Sequence, residues 1–343
     1  MKVSIVVASR NEMADIRAFV DSLLAQDTGD LEWEAILADG MSDDGTREFL
    51  DEYCAGRPRV RVISNPGRIV STGLNAAIRA ASGEIVLRMD MHSFYAPDYV
   101  RRCVETLLQT GADNAGGPAR TRAQGVRGRA IAAAYASRFS TGGARFHDED
   151  FEGWVDTVPF GCWRKTTLER LGLFDESLVR NQDDELNLRL VRAGGRIWQN
   201  PAIRCWYSPR GTLGALFRQY MQYGFWKVAV IRKHRLPGSW RHLVPVAFVT
   251  GSAALLAGMG IAAASGAHAW LSAVSRISLA LGVTYAAATL AASVAAARRR
   301  GWALLSYLPA AFLTFHVSYG VGFAVGLLRP APGSESAFTR ITR

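Results

Sequence analysis

Between Arg241 and Leu328 the chain has no aspartate and no glutamate, and its only lysine or arginine residues there are Arg241, Arg276, Arg298, Arg299 and Arg300. A water-facing domain surface needs more charge than that, so this region is not an ordinary soluble domain. Cysteine is also scarce. Cys54, Cys103, Cys162 and Cys205 are far apart and form no C-x-x-C pair, which argues against a zinc site and fits buried thiols in a reducing compartment. No G-x-G-x-x-G follows the first apolar run and no G-x-x-x-x-G-K-[ST] occurs. Dinucleotide oxidoreductases and P-loop enzymes are disfavoured accordingly. The first residues lack the flanks of a signal peptide, so the N-terminal domain is expected to stay on the side where it is made.

The net charge of +10 raises the possibility of a nucleic-acid partner. The clearest basic cluster, Arg298, Arg299 and Arg300, instead lies between apolar stretches, where positive charge sets membrane orientation. A membrane surface is the better partner, and no nucleic acid is expected.

The 343 residues split by composition. The first 210 alternate short apolar strands with amphipathic helices. Strands are expected at residues 3–8, 33–38, 60–64 and 85–89, and helices at 13–25, 46–54, 74–81 and 98–108. This alternation predicts an α/β domain with a mostly parallel sheet and helices on both faces. Ligands then bind beyond the carboxyl ends of the strands. Ser9 to Glu12, Asp39 and Asp90 fall at those ends. Residues 120–129 are basic and glycine-rich and read as a mobile segment. Residues 157–164 read as a strand and turn leading into a helix at 167–171. Asn181 reads as the N-cap of a helix whose first turn carries Asp183, Asp184 and Glu185.

The most informative stretch is Glu84 to Phe94, EIVLRMDMHSF. Its apolar run ends in Asp90 and His92, two residues apart, and extended backbone points such residues to one side. A carboxylate and an imidazole at a strand's end suit a divalent metal holding a phosphate. Solvated loop residues would give the same triplet.

Residues 211–238 mix aromatic and basic side chains, including Arg218, Tyr220, Trp226 and Lys227, as a helix lying in a membrane interface does. An ordinary core helix with a basic face is the alternative. Three apolar stretches follow, at 243–264, 277–297 and 303–328, each close to or above the ~20 residues that span a bilayer. Positive-inside reasoning places the N-terminal domain and the Arg298 loop in the cytoplasm and the polar tail, 329–343, outside. Arg329, Arg340 and Arg343 count against that side for the tail, and a non-spanning third segment would reverse it.

The motifs VSIVVASRNE, ILADGMSDDGT, RMDMH and QDDELNLRL together resemble the family 2 glycosyltransferases with the GT-A nucleotide-diphospho-sugar transferase fold. With NPGR, FGCWRK and FRQYMQYGFWK the chain is most similar to the succinoglycan-biosynthesis ExoA type, which also carries C-terminal membrane segments. The resemblance covers about the first 235 residues. It implies inverting transfer from a nucleotide sugar, usually a UDP-sugar, with UDP-glucose as the expected donor. It implies that Asp39 meets the uracil, that Ser9, Arg10 and Glu12 form the first nucleotide loop, and that Arg68 lies near the base or phosphates. Asp90 and His92 match the metal and diphosphate site, with Mn or Mg as the cofactor. The family's Glu-Asp pair falls on Gln182 and Asp183, so Asp183 takes the base position. Trp163, Arg164, Gln182, Arg218, Tyr220, Trp226 and Lys227 are expected on the acceptor or lipid side. The expected acceptor is a polyprenyl-diphosphate-linked oligosaccharide at the cytoplasmic face of a bacterial inner membrane, alongside other polysaccharide-assembly enzymes. A processive synthase is disfavoured because Q-x-x-R-W is absent. A non-catalytic nucleotide-binding scaffold is disfavoured because Asp39, Asp90, His92 and Asp183 are all present.

Overall fold

A computed structural model describes residues 1–329; the rest of the polar tail lies outside the described residues. In chain order the elements are β1 (Lys2–Ser9), α1 (Ile16–Leu24), β2 (Glu32–Asp39), α2 (Thr46–Tyr53), β3 (Val60–Ser64), α3 (Val70–Ala80), β4 (Ile85–Arg88), β5 (Ser93–Tyr95), α4 (Tyr99–Thr110), β6 (Asn114–Gly116) and β7 (Arg120–Thr121). Then come α5 (Gly125–Tyr135), α6 (Arg138–Thr141), β8 (Gly153–Val155), β9 (Cys162–Arg164), α7 (Lys165–Leu171), α8 (Gln182–Arg192), β10 (Ile197–Gln199) and β11 (Cys205–Tyr207). Four longer helices finish the chain: α9 (Leu213–His234), α10 (Val244–Ala264), α11 (His268–Arg300) and α12 (Leu308–Leu328).

These elements form two compact units. The first holds Met1–Thr121 and Ala144–Ser208. Its main sheet has eight strands in the order β3-β2-β1-β4-β9-β6-β10-β8. β3, β2, β1 and β4 run parallel, as do β6 and β10, while β9 and β8 oppose their neighbours. The sheet is buried on both faces, which is why its strands are continuous apolar runs rather than alternating ones. Successive side chains of β1 go to opposite layers. Val3, Ile5 and Val7 pack under α1, α2 and α4, while Val6 joins Leu74, Ile78, Trp163 and Leu186 beneath α3, α7 and α8.

The second unit holds residues 122–143 and the chain from Pro209 on. It is entirely helical among the described residues. Its core joins Ala130, Ile131 and Ala134 of α5 to Leu216 of α9, Ala297 of α11 and Leu308, Phe312 and Phe315 of α12. The stretch read as mobile, 120–129, is therefore β7 and the start of a packed helix. Its glycines and arginines mislead because the alanine-rich half that follows supplies the buried face. Helices α10, α11 and α12 are all long and apolar enough to cross a membrane. α11 begins at His268, well before the expected boundary at 277, so Arg276 lies inside the helix rather than in a link.

Candidate active site

The site is built at the carboxyl ends of the parallel strands in the first unit. In register, Ser9 is opposite Asp39 and Asp39 is opposite Ser64, so β1, β2 and β3 end on one rim. β4 ends at Arg88, opposite Val6, and Asp90 follows two residues later.

The loops after β1 and β2 are tied to each other. Asn11 N donates to Ser42 Oγ at 2.8 Å, Asp43 N to Asn11 Oδ1 at 2.9 Å and Glu12 N to Thr46 Oγ1 at 2.7 Å. Asp39 is buried, and its carboxylate accepts from Ser42 Oγ at 2.5 Å and Ser42 N at 3.1 Å. Each carboxylate oxygen keeps acceptor capacity beyond those bonds. Gly40 allows the close approach of the two loops, since a Cβ there would lie 3.1 Å from both Arg10 Cβ and Ser9 O. Ser9 Oγ is buried with no hydrogen-bond partner among the described residues. Arg68 is exposed, with φ of 61°, at the turn after β3.

The loop after β4 holds the charged cluster. Tyr95 pins its backbone: Asp90 N donates to the phenol oxygen at 2.6 Å, and that hydroxyl donates to Asp90 O at 3.1 Å. Asp90 Oδ1 accepts from His92 N at 3.0 Å. The His92 ring lies between two carboxylates, with Nδ1 3.5 Å from Asp90 Oδ1 and Nε2 3.0 Å from Glu12 Oε2. Asp90 and Glu12 hold the imidazole pKa up at about 10, against the opposing effect of burial. Burial pushes the Asp90 carboxyl up, but His92 and Arg88 outweigh it and bring the pKa down to about 2.

Arg88 links this cluster to α8. Its guanidinium pairs with Asp183 and lies 3.7 Å from Asp90 Oδ2. The Phe160 ring is 5.7 Å from the guanidinium carbon. Burial raises the Asp183 carboxyl pKa above the usual range, and Arg88 only partly offsets it. Sequence reasoning assigned Arg88 no role.

Helix α8 is anchored by groups behind the site. Glu185 is fully buried and takes both its oxygens to Arg189, which also donates to Leu171 O and Leu173 O. A buried amide chain runs from Cys162 N through Asn114 and Asn187 to Thr157. The acidic first turn thus divides its labour, with Glu185 structural and Asp183 facing Arg88. Asn181 does stand at the N-cap position, but with a left-handed φ of 62° and no side-chain cap bond. Its left-handed backbone, rather than a side-chain bond, starts the helix.

Two expected acceptor-side residues are elsewhere. β9 runs against β4, pairing Cys162 with Leu87, Trp163 with Val86 and Arg164 with Ile85. Walking from Phe160 to Arg164 therefore moves away from the rim. Trp163 is in the core against Phe174, and Arg164 is exposed at the opposite end of the strand. Phe160 and Gly161 take their place beside Arg88, with Arg88 N donating to Gly161 O at 3.1 Å. Gly161 has φ of 98°, and a Cβ there would lie 2.4 Å from the Trp163 ring. Gln182 is buried in the first turn of α8. Arg218, Tyr220, Trp226 and Lys227 belong to the helical unit. Trp226 and Lys227 are buried, and Tyr220 packs edge-on to Phe315 at 4.4 Å. Trp226 and Lys227 therefore lie on the packed side of this helix, whereas Arg218 is exposed.

One imidazole nitrogen beside one carboxylate suits a borderline divalent cation. Asp90 and the Nδ1 of His92 provide that pair, and Glu12 at Nε2 supplies the outer carboxylate that such imidazoles usually donate to. Asp15 is a further neighbour: ligand atoms of Glu12, Asp15 and His92 all lie within 4.8 Å of one another. Only its spacing of three residues from Glu12 hinted at Asp15.

A model of glycosyl transferase family 2 matches residues 4–168. The succinoglycan biosynthesis protein ExoA of Rhizobium meliloti (strain 1021) is 34% identical over 245 residues, covering 71% of this chain and 74% of that protein. The chain belongs to glycosyl transferase family 2. A second relative of this glycosyltransferase is the dolichyl N-acetyl-alpha-D-glucosaminyl phosphate 3-beta-D-2,3-diacetamido-2,3-dideoxy-beta-D-glucuronosyltransferase of Methanococcus voltae, 24% identical over 256 residues, 72% of this chain and 78% of that one. Among solved structures, a mannosyltransferase from Pyrobaculum calidifontis in complex with GDP-Man and Mn2+ is similar over 92% of this chain and 86% of that one, with a TM-score of 0.59 and 22% identity. The fold of the glycosyltransferase is GT-A, with its mostly parallel sheet followed by a helical C-terminal region.

Proposed function

We propose that this enzyme transfers a single sugar, with inversion, from a UDP-sugar to a polyprenyl-diphosphate-linked oligosaccharide in exopolysaccharide or cell-envelope glycan synthesis. UDP-glucose is the first donor to test. The reading is supported by the similarity to a succinoglycan biosynthesis protein. The observation that carries the chemistry is the Arg88 bridge, which puts a carboxylate of raised pKa on α8 beside the charged cluster after β4.

In this mechanism Ser9, Arg10 and Asp39 hold the nucleoside, with Arg68 at the outer edge. Asp90 and His92 would hold a divalent metal, Mn or Mg, with Glu12 orienting the imidazole. When bound, that ion supplies positive charge to the diphosphate. The acceptor hydroxyl oxygen bonds to the anomeric carbon as the bond from that carbon to the diphosphate oxygen breaks. Asp183 takes the hydroxyl proton, and the nucleoside diphosphate leaves with the bonding pair. The raised pKa of Asp183 makes it a better base than an ordinary aspartate. Arg88 keeps the carboxylate ionised and aimed. One base suffices for a single displacement, whereas hydrolysis of a glycosidic bond uses a carboxylate pair.

The catalytic unit is assigned to the cytoplasmic side of the inner membrane, the side to which positive-inside reasoning assigns Arg298, Arg299 and Arg300. Arg218, with the half-buried Tyr220, is kept as the helical unit's contribution to the lipid end of the acceptor, and the buried Trp226 and Lys227 are not.

The test is Asp183→Asn, assayed with a panel of UDP-sugars, Mn2+ or Mg2+, and lipid-linked acceptors. Transfer is expected to fall by about 10²- to 10⁴-fold with donor binding retained. Wild-type transfer by Asp183→Asn removes the base assignment.

A further inference from the structure

Helices α10 and α11 form an antiparallel hairpin closed by a turn at 265–267. Phe248 stacks on Tyr285 with ring centroids 4.6 Å apart, Ser278 Oγ donates to Met259 Sδ at 3.5 Å, and Gly258 faces Val274. The 21 residues of α10 make a rod about 32 Å long, the thickness of a bilayer's apolar core. The 33 residues of α11 reach about 50 Å. With Tyr285 level with Phe248, the last turns of α11 run beyond the start of α10.

The described contacts of α12 fall at the open end of this hairpin. Leu308 and Phe312, near its start, cluster with Ala297 of α11 and Leu304. Its middle meets Tyr285, whose hydroxyl is 2.9 Å from His316 Nδ1. Its second half meets the first turns of α10: a Cβ on Gly320 would lie 2.4 Å from Pro245 O, and Phe323 clusters with Val246. The end of α11 and the start of α10 lie on the same side of whatever the hairpin crosses. A helix that starts beside one and finishes beside the other has not crossed it.

We infer that α10 and α11 alone span the bilayer, and that α12 lies at one face with both its ends on the side of Arg298, Arg299 and Arg300. Two independent observations agree. The apolar character of α12 is used inside the protein: Phe312 and Phe315 pack on α5 and α9, and Gly322 and Gly326 lie against the α9 backbone. A helix apolar all round is buried either in lipid or in protein. By contrast, among residues 251–284 of the hairpin only Ala262 and Val274 are buried, and Leu256 and Leu279 are 66% and 67% exposed. The lipid-facing surface is therefore the far half of the hairpin, whose one charged side chain between 251 and 284 is Arg276, about two turns into α11 from the closing turn.

Charge agrees as well. Arg232, Arg241, Arg300 and Arg329 all lie at the open end, where Arg232 donates to Leu327 O at 2.8 Å and Arg329 O at 3.1 Å. The closing turn has no basic side chain. Three crossings would put Arg329 opposite Arg300, against the positive-inside rule, whereas two put them together.

Single cysteines at Ser265→Cys, Arg300→Cys and Arg329→Cys in the full chain test this, since the four native cysteines are buried. In sealed vesicles of one orientation, a membrane-impermeant maleimide should label Arg300→Cys and Arg329→Cys from one face and Ser265→Cys only from the other. Labelling of Arg329→Cys together with Ser265→Cys overturns the inference. A reporter enzyme fused after Arg343 reads the same sidedness without thiol chemistry; activity on the Ser265 face overturns it equally.

Discussion

Arg88 and Asp183 form an ion pair whose cation ends strand β4 and whose anion opens helix α8. The arginine is buried and raised in pKa, since Asp183 and Asp90 together outweigh its burial. It stays charged throughout the working pH range. One side chain thus sets the electrostatics of both the diphosphate end and the base end of the proposed site.

Replacing Arg88 with methionine should therefore move the pH profile. Burial already raises the Asp183 carboxyl, and Arg88 is what opposes the rise. Without it the carboxyl rises further and stays protonated to higher pH, so the acid limb of kcat moves upward. An acid limb that stays in place in Arg88→Met would show that Asp183 does not govern it.

Metal binding should respond to Glu12 and to pH together. Glu12→Gln weakens the partner that orients His92 and should lower Mn2+ affinity by about 10- to 100-fold. His92 must lose its proton to ligate, and its metal-free pKa is about 10. Affinity should keep rising by about tenfold per pH unit above neutrality, where an ordinary histidine would already have levelled off. Calorimetry between pH 6.5 and 8.5 reads the slope; a flat response removes the imidazole from the ligand set.

Glu34 gives a prediction about stability alone. Its carboxylate accepts from Ser4 Oγ, Ser82 N and Ser82 Oγ, at 2.7, 2.6 and 2.8 Å. Burial raises its pKa, but these bonds and Lys2 prevail and hold it at about 2, down from 4.5. A carboxyl lowered on folding stabilises the protein above the unfolded pKa, and that stability is lost as pH falls from about 4.5 towards 2. The shift amounts to on the order of 3 kcal/mol. Glu34→Gln should lower the melting temperature at pH 7 and narrow its gap from wild type below pH 4. An equal gap at both pH values would contradict this.

The α9–α12 seam can be tested by adding volume. A Cβ on Gly322 would lie 1.9 Å from Met221 O, whereas one on Gly251 would meet nothing within 4 Å. Gly322→Val should cost about 1–3 kcal/mol or more, the range for overpacking, because the obstacle is backbone. Gly251→Ala should melt like wild type in detergent. Equal melting of the two variants would mean that the helices do not approach so closely.

Much of the site was legible where chain direction is repeated. Ser9 and Asp39 close parallel strands and Asp90 follows another, so one rule placed all three on the same rim. Trp163 and Arg164 were lost because β9 runs backwards, and a three-residue strand carries no mark of its direction. Arg88 was readable in principle. It shares the alternation that put Asp90 and His92 on one side, and a charge closing a buried run needs a partner. Glu185 and Asp183 could not be separated by composition, since only the turn of α8 decides which faces Arg189 and which faces Arg88.

The glycine seam also fixes an order of events during synthesis. Helix α9 ends at His234 and its partner α12 begins at Leu308, 308 − 234 = 74 positions later. At roughly 5–20 residues per second, α12 starts to be made about 4–15 seconds after α9 is complete. Phe225 and Val228 must remain uncovered for that interval, while the hairpin between them is being delivered to lipid. Slowing translation across α10 and α11 lengthens the exposure without changing a single residue, so yield in the cell should depend on codon choice in a segment outside the catalytic unit.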